Sequence, residues 1–255
     1  MSRRPAEVTA IHTGILRCTL AATESQSYWA HVDPTEPAER RNLRAFEERW
    51  FGSKSQARVR QLLANMSARF DAHPQALAAL RGWRGMSPAT RRVICHWHLQ
   101  LHDPMYRRFT GELLVERHEA SRTVDRDVVS RWVDAQGEGR WAAVTRIAFA
   151  SKLLSAALEA GLIEGRRDPR ALTFPRVDDD ALAYLLRLLR TVEIAGSLLR
   201  NPYLASVGLT GSFLDQRLSA LPDLTYSRVG DVIDLEWREP DLRAWASAHH
   251  GAPPT

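Results

Sequence analysis

The stretch Trp141-Ala142-Ala143-Val144-Thr145-Arg146-Ile147-Ala148-Phe149-Ala150-Ser151-Lys152-Leu153-Leu154-Ser155-Ala156-Ala157-Leu158-Glu159-Ala160 sets the reading of the fold. It continues as Gly161-Leu162-Ile163-Glu164-Gly165-Arg166-Arg167-Asp168-Pro169-Arg170-Ala171-Leu172-Thr173-Phe174-Pro175. The first twenty residues run at helical spacing, with Val144, Ile147, Leu154 and Leu158 on one side. Gly161 falls where a left-handed C-terminal cap belongs. Beyond it the chain reads as a short extended segment, a basic turn at 166–170 and a second extended segment at 172–175. Helix, strand, turn and strand make a winged arrangement, whose helix fits the major groove of B-DNA while the wing touches the flanking backbone.

The face opposite the apolar side carries Thr145, Lys152, Ser155 and Glu159, with Arg146 beside it. Arg140, Arg146, Lys152, Arg166, Arg167 and Arg170 set six positive charges against Glu159, Glu164 and Asp168. A solvated helix face with a charged turn has the same composition, so spacing alone leaves both readings open.

A second unit of this kind follows. Residues 207–211 read as a turn, 212–221 as a helix, and 224–228 and 232–237 as strands joined through Gly230-Asp231 in a β-hairpin. Ser212, Gln216 and Arg217 are its groove candidates, but the hairpin carries Asp231, Asp234, Glu236 and Glu239. Carboxylates repel phosphates, so Asp234 and Glu236 are expected to meet a protein partner.

The rest of the chain reads as helix. One helix is expected over 8–30, broken by Asp33-Pro34-Thr35-Glu36-Pro37. Val59, Leu62, Leu63, Met66 and Phe70 form a single helical stripe, with Lys54, Arg58 and Arg60 off it. Ser87-Pro88 and Asp103-Pro104 are helix openings, the latter turning Phe109, Leu113 and Leu114 inward. Further helices are expected over 124–133 and 178–197, the latter opened by Asp178-Asp179-Asp180, where the helix dipole favours negative charge.

Composition narrows the function classes. Apolar residues at 44% and charged residues at 25% of 255 fit a globular chain with a substantial core. The longest apolar runs fall short of the roughly 18–20 residues of a membrane span, and the start leads into no signal-like apolar region, so a cytoplasmic setting is expected. Lysine occurs only at 54 and 152, leaving 33 arginines among 35 basic residues, and the net charge is +5. Arginine offers a planar fork of donors suited to phosphate, although a GC-rich genome also exchanges Lys for Arg. Cys95-His96-x-His98-x3-His102 invites a metal reading, since His98 and His102 lie one helical turn apart, but a complete site wants a third or fourth ligand and no His-Glu-x-x-His motif is present. No metal, no cofactor and no catalytic residue is expected: phosphate-binding, dinucleotide-binding and nucleophile-elbow motifs are all missing.

Four segments together resemble the BrxA family of the BREX bacteriophage-exclusion systems. They are Ile11-His12-Thr13-Gly14-Ile15-Leu16; Ser53-Lys54-Ser55-Gln56-Ala57-Arg58-Val59-Arg60; Ile94-Cys95 through Phe109-x-x-Glu112-Leu113-Leu114-x-Glu116-Arg117; and Ser151-Lys152-Leu153-Leu154 through Ala160-Gly161-Leu162-Ile163. They span about 70% of the chain, and their order rather than any one of them carries the likeness. The resemblance implies a helical core with helix-turn-helix elements, a basic surface for double-stranded DNA and no enzymatic activity. It also implies a place beside other BREX components, among them a methyltransferase and a phosphatase-like protein, and it ends near Ser197.

The expected protein is therefore mainly α, a helical bundle with helix-turn-helix and winged-helix elements and a small C-terminal β-hairpin. Residues 1–136 are expected to form an all-helical domain, 137–197 a winged-helix-like segment and 198–255 a second one. The expected DNA contacts are Lys54, Arg58, Arg60, Arg140, Thr145, Arg146, Lys152, Arg166 and Arg167, in a chain that is a monomer on its own. Non-specific phosphate contacts are expected to supply most of the affinity, with little base readout. The competing functions are an adaptor within a defence complex and a winged-helix transcriptional regulator. A metal enzyme at His96, His98 and His102 is the weakest competitor.

Overall fold

The computed structural model describes residues 4–230 and 232–251, so Asp231 at the hairpin turn lies outside the described residues. The chain is mainly helical with two small antiparallel sheets. After a segment that bridges Ala6 to Glu193, the first helices are α1 (Gly14–Arg17) and α2 (Ala22–His31). The single helix expected over 8–30 is therefore broken, for a visible reason. The buried Arg69 guanidinium takes the carbonyls of Cys18, Thr19 and Leu20, while the Glu159 carboxylate accepts from the amides of Ala21 and Ala22. Those groups are lost to a continuous helical ladder.

Next come α3 (Ala38–Glu47), α4 (Gln56–Phe70) and α5 (Pro74–Gly82). The stripe of α4 is buried as its spacing implies, and Ser55 caps its first turn. Helix α6 (Pro88–His102), capped by Ser87, lies at the centre of the molecule, with residues 93–101 all buried. Asp103 caps α7 (Pro104–Arg108), which passes through a π-helical turn at Phe109–Leu113 into α8 (Leu114–Ala120). The wider turn keeps Phe109, Leu113 and Leu114 all inward.

The first sheet joins β1 (Thr123–Val124), β2 (Ile163–Glu164) and β3 (Arg170–Leu172) in the order β1-β3-β2, with Thr123 opposite Ala171 and Ile163 opposite Leu172. Between β1 and β2 lie α9 (Arg126–Gln136) and α10 (Ala143–Ala160), packed on each other. With α8 in front, this is a winged helix. The boundary expected at 136/137 runs between α9 and α10, inside the unit, because two-residue β1 gives no alternation to read in sequence.

The second winged unit comprises α11 (Asp179–Arg190), α12 (Pro202–Ala205), α13 (Gly211–Ser219) and a hairpin of β4 (Leu224–Val229) and β5 (Val232–Trp237). Helix α11 belongs here rather than before residue 198. Its buried Arg187 bonds Glu239 at 3.0 Å and lies against the rings of Trp237 and Trp245. Helix α14 (Leu242–His250) then packs back on α5, with His250 stacked on Trp83 at 4.1 Å. The buried apolar residues of all three expected segments form one cluster. Among the described residues no helix is long and apolar enough to cross a membrane.

The histidines of α6 are part of that core. Ser206 donates its proton to the Tyr203 carbonyl, so His96 Nε2–H donates to Ser206 Oγ, and His96 Nδ1 accepts from Tyr106. His98 Nδ1–H faces the Arg69 carbonyl at 3.4 Å, and its Nε2 accepts from Tyr184 at 2.7 Å. All four ring nitrogens are committed, in neutral rings. Burial pushes His96 down to about 3 and His98 well below the usual range.

Because the unfolded chain binds these protons near pH 6.5 and the folded one does not, stability should be complete above that pH and fall as the solution is acidified toward about 3. Each of the two rings contributes about 1.4 kcal/mol per pH unit within that window. Thermal melts from pH 7 to 4.5 should show a steady fall in Tm; a flat profile would show that the two rings are not held neutral.

Candidate nucleic-acid interface

The first winged unit presents α10 and the wing between β2 and β3 to solvent. Phe149, Ala150, Leu153, Leu154, Ala156, Ala157 and Ala160 of α10 are buried, so the opposite face is the free one. Two residues placed on the inner side by their spacing lie outside: Val144 is 74% exposed and Ile147 49%. The inner stripe is instead carried by Phe149 and by alanines, which a pattern of large aliphatic residues misses. On the free face Lys152 and Ser155 are exposed, and Thr145 is partly so. Ala142 gives α10 no side-chain cap, and Gly161 ends it in the left-handed conformation at φ 79°.

The wing is fixed at its base. Asp168 accepts from Arg170 Nε at 2.8 Å and from the Arg126 amide at 3.3 Å, tying β3 to the start of α9. Partial burial would raise the Asp168 carboxyl, but the hydrogen bonds and charges of Arg170 and Arg126 outweigh it and hold the pKa low. Arg166 and Arg167 at the wing tip are exposed, with no carboxylate in ion-pair range among the described residues. The same holds for Lys152 and for Arg140, whose guanidinium lies 4.6 Å over the Trp141 ring.

Of the other expected contacts, Arg146, Lys54 and Arg58 are engaged elsewhere. Arg146 bonds Asp134 at 2.7 Å and braces α10 against α9. Lys54 donates to the Phe51 carbonyl and pairs with Glu24 at 3.4 Å. Arg58 bonds the Arg17 carbonyl and Gln61, while Arg60 is exposed. These three belong to the start of α4 rather than to the winged unit.

In the second unit, Asp234 and Glu236 are exposed on β5. The apolar hairpin end is exposed as well, with Val229 at 80% and Val232 at 73%. Arg217 of α13 is taken up by Asp179 and the Val177 carbonyl, and Asp215 holds Tyr226 and Arg228. Asp223, Glu239 and His249 bring possible metal-ligand atoms together, yet Arg187 lies 3.0 Å from Glu239 and 3.8 Å from Asp223. That guanidinium already supplies the countercharge the two carboxylates need. His96 and His98 offer a metal no free nitrogen.

The molecule is thus a helical protein with two winged-helix units built on a shared core. No family model and no curated protein matches the chain. Its fold is similar to that of an uncharacterized protein from Magnetospirillum magneticum known from a crystal structure. The TM-score is 0.58 over 72% of this chain and 98% of that one, with 15% of residues identical, a likeness of fold alone.

The part-exposed Arg146–Asp134 pair should contribute no more than about 1 kcal/mol. Arg146→Ala is therefore expected to lower Tm slightly and leave any salt dependence of DNA binding unchanged. A shallower salt slope in that variant would place Arg146 on the DNA.

Proposed function

We propose that this protein is a non-enzymatic DNA-binding accessory component of a BREX-type phage defence system. The observation that carries the reading is the set of unpaired cations at Arg140, Lys152, Arg166 and Arg167 around the free face of α10 and its wing. Cations held clear of carboxylates keep their full charge for phosphate, and a wing pinned by Asp168 presents two of them without first having to be ordered. The defence assignment rests on the resemblance to the BrxA family, which also suggests a methyltransferase and a phosphatase-like protein as partners. No catalytic constellation supports an enzyme among the described residues: His96 and His98 are saturated by hydrogen bonds, and burial pushes the Cys95 thiol up to about 12.

A second reading, an adaptor that joins other defence proteins, is favoured by the exposed Val229, Val232 and Ile233 beside Asp234 and Glu236. Both activities fit one chain, since the two surfaces lie on different winged units. A cytoplasmic location accords with either.

Four phosphate contacts imply that log K falls against log salt with a slope near −4, since each contact contributes about −0.9. Lys152→Ala together with Arg167→Ala should weaken binding to any duplex and make that slope shallower by about two units. Gel-shift titrations at several salt concentrations measure both. A slope unchanged in the double variant, or strong binding to one short duplex with little salt response, would remove the accessory reading and favour a regulator.

A further inference from the structure

We infer that the free face of α10 reads the 5-methyl groups of thymines in the major groove. The inference rests on the DNA-binding reading above and adds a base preference to it. Isolated exposed aliphatic residues are common on protein surfaces, but Val144 and Ile147 are neighbours at i and i+3 on one helix face. They occupy the first turns of the helix that a winged unit places in the groove, where base edges are met. Ile147 also borders a cleft lined by Asp125, Arg126, Asp127, Asp168 and Pro169, which joins α10 to the start of α9 and the base of the wing.

The chemistry of that face limits what it can recognise. Guanine is read by a forked Arg or a Lys, and adenine by the amide of Asn or Gln. The exposed side of α10 holds Val144, Ile147, half-buried Ala148, Ser151 and Ser155, with Lys152 as its one cation. Arg146, the only guanidinium on the helix, is committed to Asp134 at 2.7 Å. Lys152 stands two turns beyond Val144, away from the first turns where base edges are met, and is left to phosphate. What remains is the hydroxyls of Thr145, Ser151 and Ser155, which accept either kind of partner, and two branched aliphatic side chains. Those pair in the groove with one feature, the thymine methyl. Duplex DNA rather than a protein is the favoured occupant of this face, because Lys152 on the same helix and Arg166 and Arg167 on the wing of the same unit are exposed cations outside ion-pair range of any carboxylate among the described residues. An apolar protein partner gains nothing from those cations.

Replacing thymidine by deoxyuridine deletes the methyl group and leaves every hydrogen-bonding edge in place, so it isolates this contact. Burying one methyl-sized group changes affinity about fourfold, and two contacts change it about fifteenfold. Titrations of the full chain against matched duplexes should show four- to fifteenfold tighter binding to the thymidine duplex. Val144→Ala with Ile147→Ala should bring the two affinities together near the deoxyuridine value. Both residues are exposed and alanine favours helix, so the fold should survive, as a melting curve will show. Equal wild-type affinities with a steep salt dependence would overturn the methyl inference and leave the DNA-binding reading intact. Loss of affinity for both duplexes alike in the double variant would also overturn it. Failure to bind either duplex with measurable affinity would overturn both.

Discussion

Everything in this molecule depends on burying helix α6 with its histidines and its tryptophan hydrogen-bonded. An amphipathic helix can turn its polar groups to water; α6 cannot, since residues 93–101 are all enclosed. Its histidines reach Tyr106, Ser206 and Tyr184, Gln100 donates to Thr110, and the Trp97 indole donates to the Tyr203 carbonyl. A buried polar group without a partner costs about 1–3 kcal/mol, so these bonds specify which elements may surround α6. They reach α7 on one side and α11 and α12 on the other. The bonds to α11 and α12 fix the second winged unit to this post, and the first packs on it through α10.

The same constraint separates the two surfaces. On the first unit, three carboxylates are used internally: Asp134 holds Arg146, Asp168 holds the wing, and Glu159 ends the α1–α2 loop. That leaves Lys152, Arg166 and Arg167 without anionic neighbours in ion-pair range. In the second unit three arginines are taken up instead, Arg187 by Glu239, Arg217 by Asp179 and Arg228 by Asp215. Its exposed hairpin keeps Asp234 and Glu236. The two units thus differ in what their wings expose: Arg166 and Arg167 on the first, and Val229, Val232, Asp234 and Glu236 on the second.

Much of the fold was legible because it is written locally. The α4 stripe, the Ser87 and Asp103 caps, the Gly161 stop and the β4–β5 hairpin all follow from spacing and capping chemistry. What was not legible depends on distant partners. The break between α1 and α2 is imposed by Arg69 and Glu159, neither of which is near it in sequence. Strand β1 is too short to alternate, so the first winged unit looked as if it began at residue 137 rather than near α8. At the candidate interface, Arg166 and Arg167 were readable as a basic turn. The pairing of Lys54 with Glu24 and of Arg146 with Asp134 was not, because charge counts do not say which cations are already spent. The exposure of Val144 and Ile147 was hidden by the alanines that form the real inner face.

Amide hydrogen exchange of the full chain, with and without duplex DNA, bears most directly on the claim that the first winged unit carries the nucleic-acid surface. DNA should slow exchange in the first turns of α10 and across the wing at 164–170, and leave α6 and the β4–β5 hairpin unchanged. Slowed exchange at α13 and the hairpin, with α10 and the first wing unaltered, would contradict it.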